Sequence, residues 1–141
     1  MGWGTWMQST TNLTLAATAV AFLAGCVAAL PVTGDLKTAR DACNLQYPMR
    51  VGSYLPHANC VNAVIESYAL PGARYPDLIR LQAQVRAALS AKIDSHRITV
   101  AVGERRMAEA DRLVAAAERD RDAGNDRAAS KRVAAIEQML K

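Results

Sequence analysis

The sequence predicts a mainly α-helical protein: a small helical domain with a cysteine-bearing loop, followed by an antiparallel three-helix region. Hydrophobic residues make up 51% of the 141 residues but aromatic residues only 5%, so the core must consist mostly of small aliphatic side chains. This composition favours packed helices over a sheet, because strands prefer β-branched and aromatic residues. Proline and glycine are concentrated in residues 31–76, whereas apolar residues recur at helical spacing after residue 76. A chain of this length suits one small domain.

Residues 76–141 are predicted to form three helices, which short connections make antiparallel. Pro76 suits a first helical position, Thr99 is the expected cap of the second helix, and Gly124 ends that helix. The predicted core stripes are Leu78, Leu81, Val85, Leu89 and Ile93 in the first helix, Met107, Ala110, Val114 and Ala117 in the second, and Ala129, Val133, Ile136 and Leu140 in the third. Gly103 weakens the first turn of the second helix, since glycine costs about 1 kcal/mol against alanine.

Residues 35–75 are predicted to contain two short helices separated by an irregular loop. The first helix covers residues 35–45, the loop residues 46–59, and the second helix residues 59–69. Four apolar residues fall on one face of the second helix: Val61, Val64, Ile65 and Tyr68. That face is expected to pack into the core.

The charge pattern argues against a nucleic-acid partner. The net charge is +4, but residues 77–141 interleave 13 basic with 10 acidic side chains. Mixed signs are typical of a solvated, ion-paired helix surface, whereas phosphate binding requires positive charge segregated into a stripe. The last helix has a heptad-like apolar stripe, which can pack within the chain or against another protein. A protein partner or a homo-oligomer that binds through residues 76–141 is therefore an alternative to purely intramolecular packing.

Residues 13–30 are eighteen residues without a charge, and they contain the segment Leu23-Ala24-Gly25-Cys26. This segment resembles the lipobox of bacterial lipoproteins, in which a branched aliphatic residue and two small residues precede an obligatory cysteine. The resemblance covers those four positions and the apolar run before them. It implies a signal peptide over residues 1–25, cleavage before Cys26, and a diacylglyceryl thioether on the Cys26 sulfur.

The same resemblance implies further acylation of the new amino group, with palmitate or a similar chain, and a lipid-anchored tether over residues 26–34. Two or three acyl chains give stable membrane attachment where a single chain is marginal. Position 27 is Val, not the Asp that retains many such lipoproteins in the inner membrane. The resemblance therefore implies the bacterial cell envelope, at the outer membrane facing the periplasm.

Cysteine pairing is expected to follow from this anchor. The chain has three cysteines, an odd number for an exported protein, and lipidation of Cys26 leaves Cys43 and Cys60 free to oxidise. A disulfide between them would close a loop of sixteen intervening residues and contribute about 3 kcal/mol in the chain-entropy model. The predicted fold class is thus mainly α, with a disulfide-closed loop in a small helical domain ahead of the three-helix region.

Two other fates of the apolar segment remain open. Residues 1–12 contain no Lys or Arg, whether Met1 or Met7 is the start, although signal peptides usually begin with a positive region. Cleavage after Ala29 would give a soluble secreted protein. An uncleaved segment is just long enough to span the inner membrane, and Lys37 and Arg40 beyond it would then place the helical domain in the cytoplasm, where it would bind a partner subunit of a membrane complex.

No catalytic, metal or cofactor site is predicted. The sequence has no glycine-rich phosphate loop, no HExxH pattern and no nucleophile elbow. A zinc site from Cys43, His57, Cys60 and His96, or a Cys/His nucleophile, is disfavoured because an oxidising compartment would consume the thiols. An enzyme would need a pocket pairing His57 with a carboxylate such as Glu66. The expected function is therefore a non-catalytic scaffold, accessory subunit or binding module.

Overall fold

A computed structural model describes residues 35–141, which form five α-helices and no strand. The helices are α1 (Leu36–Gln46), α2 (Tyr54–Tyr68), α3 (Pro76–Asp94), α4 (Val100–Asp122) and α5 (Asp126–Gln138), with a 3₁₀ turn at Leu70–Gly72. The mainly α fold with a three-helix C-terminal region is confirmed. The predicted signal peptide over residues 1–25, the tether over residues 26–34 and the lipidation site Cys26 lie outside the described residues.

Three of the five helices begin at a residue whose side chain caps the helix. Asp35 accepts a hydrogen bond from the Thr38 amide at 2.7 Å, Thr99 from Val102 at 3.3 Å and Asn125 from Ala128 at 3.2 Å: these are the caps of α1, α4 and α5. Each bond satisfies one of the amides that the first turn of a helix leaves without a partner. Gly124, at a φ of 70°, separates α4 from α5, as expected for glycine at a helix end.

The predicted start of α2 at residue 59 is wrong, because the helix begins five residues earlier, at Tyr54. Pro56 is its third residue. A proline in the first turn lacks only an amide that has no partner within the helix, so it does not prevent helix formation there. The connecting loop is accordingly residues 47–53, about half of the predicted length.

The helices run alternately up and down, so their ends form two poles of the bundle. The pole where the described chain begins, called here the N-terminal pole, contains the start of α1, the end of α2 and the start of α3. Leu36, Tyr68 and Ile79 pack against one apolar cluster there. The end of α4 also lies at this pole, since the Tyr75 hydroxyl donates to Asp122 Oδ1 at 2.7 Å.

The opposite end, called here the loop pole, contains loop 47–53, the end of α3, the start of α4 and the end of α5. The Asp94 carboxylate at the end of α3 binds backbone amides at the start of α2. Lys92 Nζ donates to the carbonyl of Met139, directly after α5, at 3.3 Å. The two poles are therefore separated by the full length of the helices.

Two apolar clusters make up the core. The larger joins α3, α4 and α5, and its buried members are Leu78, Val85, Leu89, Ala110, Val114, Ala117 and Ile136. The smaller joins α1 and α2, and its buried members are Ala39, Cys43, Val61, Val64 and Ile65. All of these except Ala39 and Cys43 belong to the predicted apolar stripes, so periodicity located the core correctly.

Gly103 has a packing role that its helix propensity does not reveal. It is buried where α4 crosses α3, and a Cβ at this position would lie 2.5 Å from Ile93 Cδ1 and 3.0 Å from Ile93 Cγ1. Those distances are too short for nonbonded carbons, which attract best at about 3.5–4.0 Å. The glycine therefore permits the close approach of the two helices.

Cys43 and Cys60 form the predicted disulfide, with an S–S distance of 2.07 Å and a Cα–Cα distance of 5.8 Å. The bond joins the last turns of α1 to the middle of α2. Cys43 is fully buried, so the bridge is part of the smaller apolar cluster. Within residues 35–141, none of the helices is long and apolar enough to cross a bilayer.

Candidate functional site

The candidate site is a patch of exposed apolar side chains at the loop pole. Leu45 is 84% exposed, Met49 57% and Val51 45%, and these are the exposed large hydrophobic residues in the described part of the chain. They lie within seven consecutive residues, at the end of α1 and in loop 47–53. Single exposed apolar residues are ordinary, whereas three in one short segment make that segment the candidate for an interaction surface.

The Asp94 carboxylate holds this loop in place. Its Oδ1 accepts hydrogen bonds from the amides of Gly52 at 2.7 Å and Tyr54 at 3.2 Å, and its Oδ2 accepts one from Leu55 at 2.8 Å. Ser53, at the N-cap of α2, makes no side-chain cap bond. A carboxylate forty residues away thus caps α2, and its negative charge is favourable at the positive end of that helix dipole.

Backbone geometry fixes the loop further. The Ser53 amide donates to the Arg50 carbonyl at 2.8 Å, which closes a turn. Gly52 within that turn has a φ of 92°, a conformation that favours glycine. Across the pole, His96 has a φ of 57° in the connection from α3 to α4, so the carboxylate of Asp94 brings two tight turns side by side.

The pole combines its apolar side chains with positive charge. Arg50 and Arg97 are exposed, and neither belongs to an ion pair among residues 35–141. The acidic residue between the two turns is Asp94, whose oxygens already accept three amide hydrogen bonds. This arrangement is suited to binding a surface that is apolar and acidic.

His57 lies one turn before Cys60 in α2, but the structure gives it a different partner from the carboxylate an enzyme would need. Its Nε2 is 2.8 Å from Asn44 Oδ1 at the end of α1. Desolvation by burial, together with the positive charge of Arg86, lowers the pKa of His57 below its ordinary value. Glu66 is exposed, two turns further along α2.

Of the residues that the sequence marks as candidates, the structure brings Cys43 and Cys60 together as a disulfide. His96 lies in the α3–α4 turn at the loop pole and His57 at the α1–α2 interface, so the alternative zinc site is not assembled. Within residues 35–141, no group of three His, Cys, Asp or Glu side chains is placed to hold a metal ion.

A polar link between α2 and α3 was not predicted. Asn62 donates to the Ala83 carbonyl at 2.9 Å and accepts a hydrogen bond from Arg86 at 2.5 Å. Burial lowers the pKa of the Arg86 guanidinium. The link fixes α2 against α3, and hence the start of α2 against Asp94.

At the N-terminal pole, ionic and aromatic contacts hold the start of α3 against the end of α4. Arg121 binds Asp77 through both of its terminal nitrogens, at 2.8 and 2.6 Å, and this bond lowers the pKa of Asp77. The guanidinium groups of Arg74 and Arg121 lie 5.5 and 5.2 Å from the centroid of the Tyr75 ring. The hydrogen bond to Asp122 raises the pKa of Tyr75.

The sequence carried one signal of the loop-pole patch that the predictions did not use. Met49 and Val51 are large apolar residues in a segment that Pro48 and Gly52 mark as a turn, where apolar residues have no helix face on which to be buried. Leu45 precedes this segment at the end of α1. The role of Asp94 had no such signal, because it depends on a contact between distant parts of the chain. Comparisons with protein-family models, with curated proteins and with solved structures give no match for this chain.

Proposed function

We propose that this protein is a lipoprotein of the bacterial cell envelope that is anchored through Cys26 and acts as a non-catalytic scaffold, accessory subunit or binding module. The observation that carries the proposal is the Cys43–Cys60 disulfide. It pairs two of the three cysteines and leaves the remaining one in the lipobox-like segment. A disulfide of this kind forms in the oxidising compartments outside the cytoplasm, to which a lipoprotein signal would direct the chain.

The position of the helical domain is consistent with such an anchor. Helix α1 begins at Leu36, ten residues after Cys26. The intervening segment is long enough for a tether and leaves the whole bundle on one side of the membrane. The exposed apolar loop at the other pole supports binding of a further molecule rather than catalysis.

Intact-mass measurement of the protein purified from its native host tests the anchor. A chain that begins at Cys26 and carries the added mass of two or three acyl chains is the expected result. Cys26→Ser should accumulate as the full-length precursor without that mass, whereas Cys60→Ala should still be processed. A wild-type chain that retains Met1 or Met7, and in which Cys43 and Cys60 are free thiols, would refute the proposal and favour the uncleaved inner-membrane anchor.

Separation of the inner and outer membranes on a density gradient tests which of the two membranes contains the protein. The lipoprotein resemblance leads us to expect the wild-type protein in the outer-membrane fraction. Val27→Asp places the inner-membrane retention residue directly after the lipidated cysteine, so this variant should move to the inner membrane. Equal distribution of both forms would contradict the assignment to the outer membrane.

A further inference from the structure

We propose that the loop pole docks onto a protein partner that presents an apolar pocket rimmed by carboxylates, on the side of the domain that faces away from the lipid anchor. The apolar contacts are Leu45, Met49 and Val51, and the charged contacts are Arg50 and Arg97. The proposal rests on the proposed function in one respect, because the anchor determines which way the pole faces.

The direction follows from the positions of the two poles. The anchored segment enters the domain at the N-terminal pole, and α3, with 19 residues, extends about 28 Å from there to the loop pole. Residues 26–34, nine in number, connect Cys26 to the N-terminal pole and not to the loop pole. The loop pole is therefore the end of the domain farther from the anchor, which makes a protein a better occupant than the anchoring bilayer.

Charge distinguishes a different protein from a second copy of this one. In a twofold contact between identical loop poles, Arg50 and Arg97 would face their own equivalents, and like charges placed together oppose association. Asp94 offsets only one of the two positive charges in each copy, and its oxygens bind the amides of α2 and the loop instead of either arginine. Carboxylates on a different protein could form ion pairs with the guanidinium groups of both arginines.

The loop is also fixed before the partner arrives. The Cys43–Cys60 bridge joins the helices on either side of it, and Asp94 binds its last residues to the end of α3. A loop that is already ordered loses less conformational entropy on binding. Met49 and Val51 are thus presented in one arrangement rather than as part of a disordered segment.

Site-specific photocrosslinking of the full-length protein in its native host tests the proposal. A photoreactive amino acid is placed at Met49 and, as the matched control, at Lys37, which is exposed at the N-terminal pole. The expected result is an adduct with one defined protein from position 49 only, and mass spectrometry should map it to an apolar site bordered by Asp or Glu. Arg50→Glu should lower its yield at least about fivefold, whereas Lys37→Glu should leave it unchanged.

Adducts with lipid, with a second copy, or with no protein above the level at position 37 would each overturn the docking surface. So would a protein adduct that Arg50→Glu does not weaken. Thermal denaturation of Arg50→Glu controls for misfolding, and the exposed, unpaired Arg50 side chain should be replaceable without a change in melting temperature. Intact mass from the same sample separates the two proposals: an unprocessed chain refutes the lipoprotein, and a lipidated chain without the adduct refutes the docking surface alone.

Discussion

The carboxylate of Asp94 allows the sharpest test of the fold, because one side chain satisfies three backbone amides of another element. Asp94→Ala removes all three acceptors. A hydrogen bond to a charged group contributes about 1.5–3 kcal/mol, but the Gly52 amide is exposed and water can replace its partner. The amides of Tyr54 and Leu55 are partly buried, so we expect a loss of about 3 kcal/mol in the free energy of unfolding. Asp94→Asn keeps one acceptor oxygen and should lose about half as much.

Urea denaturation followed by circular dichroism measures the loss, and amide hydrogen exchange locates it. The exchange of Tyr54 and Leu55 should accelerate in Asp94→Ala, whereas amides in the middle of α4 should change only as far as global stability changes. The matched control is Asp41→Ala, which breaks an exposed pair between Lys37 and Asp41 within one helix. Such pairs contribute about 0.3–0.5 kcal/mol.

Two results would refute this account of Asp94. The first is a loss no larger in Asp94→Ala than in Asp41→Ala. The second is a large loss of stability without faster exchange at Tyr54 and Leu55, since the carboxylate would then act on the fold by some route other than capping α2.

Three further predictions concern the packing, the titration and the covalent bond of the domain. Gly103→Ala should lower stability by about 1 kcal/mol, because overpacking costs about 1–3 kcal/mol and outweighs the gain of about 1 kcal/mol in helix propensity. Ile93→Val removes Cδ1 and leaves only the 3.0 Å contact with Cγ1 to offset that gain, so Gly103→Ala should be close to neutral in this background. Equal costs in both backgrounds would rule out this contact. Burial lowers the pKa of His57 below its ordinary value of 6.5, so the free energy of unfolding should be highest above pH 6.5 and should decrease as the pH falls through the lowered pKa. Denaturation measured at several pH values from 8 to 5 should show a smaller decrease in His57→Gln. An unchanged decrease would assign the pH dependence to other groups. Replacing both Cys43 and Cys60 by alanine should lower the free energy of unfolding by about 3 kcal/mol under oxidising conditions. The stability of this variant should not change on addition of dithiothreitol. A variant as stable as the oxidised wild type would contradict a stabilising role for the bridge.

The sequence was sufficient for features that depend on neighbouring residues. Thr99 caps α4, and Pro76 is the first residue of α3, because each acts within one turn of its own position. The apolar stripes likewise located the core, since the period of a helix places residues three and four apart on one face.

Features set by distant parts of the chain were missed. The start of α2 at Tyr54 depends on a carboxylate from the end of α3, and Ser53 alone gives no side-chain cap there. Gly103 was interpreted as a weak point of α4, because only the packed structure places Ile93 against it. The loop-pole patch was missed for the same reason, since its two turns are neighbours only through Asp94.

The cap on α2 has a consequence for the order in which this domain is completed. Each helix packs against the next one along the chain, and such local topologies fold quickly. The hairpin of α1 and α2 contains both cysteines of the bridge, so the disulfide can form before α3 is in place. Loop 47–53 must nevertheless wait for Asp94, which follows thirty-four residues later. The apolar loop therefore acquires its final shape only when α3 has packed against α2, although the disulfide beside it can form earlier.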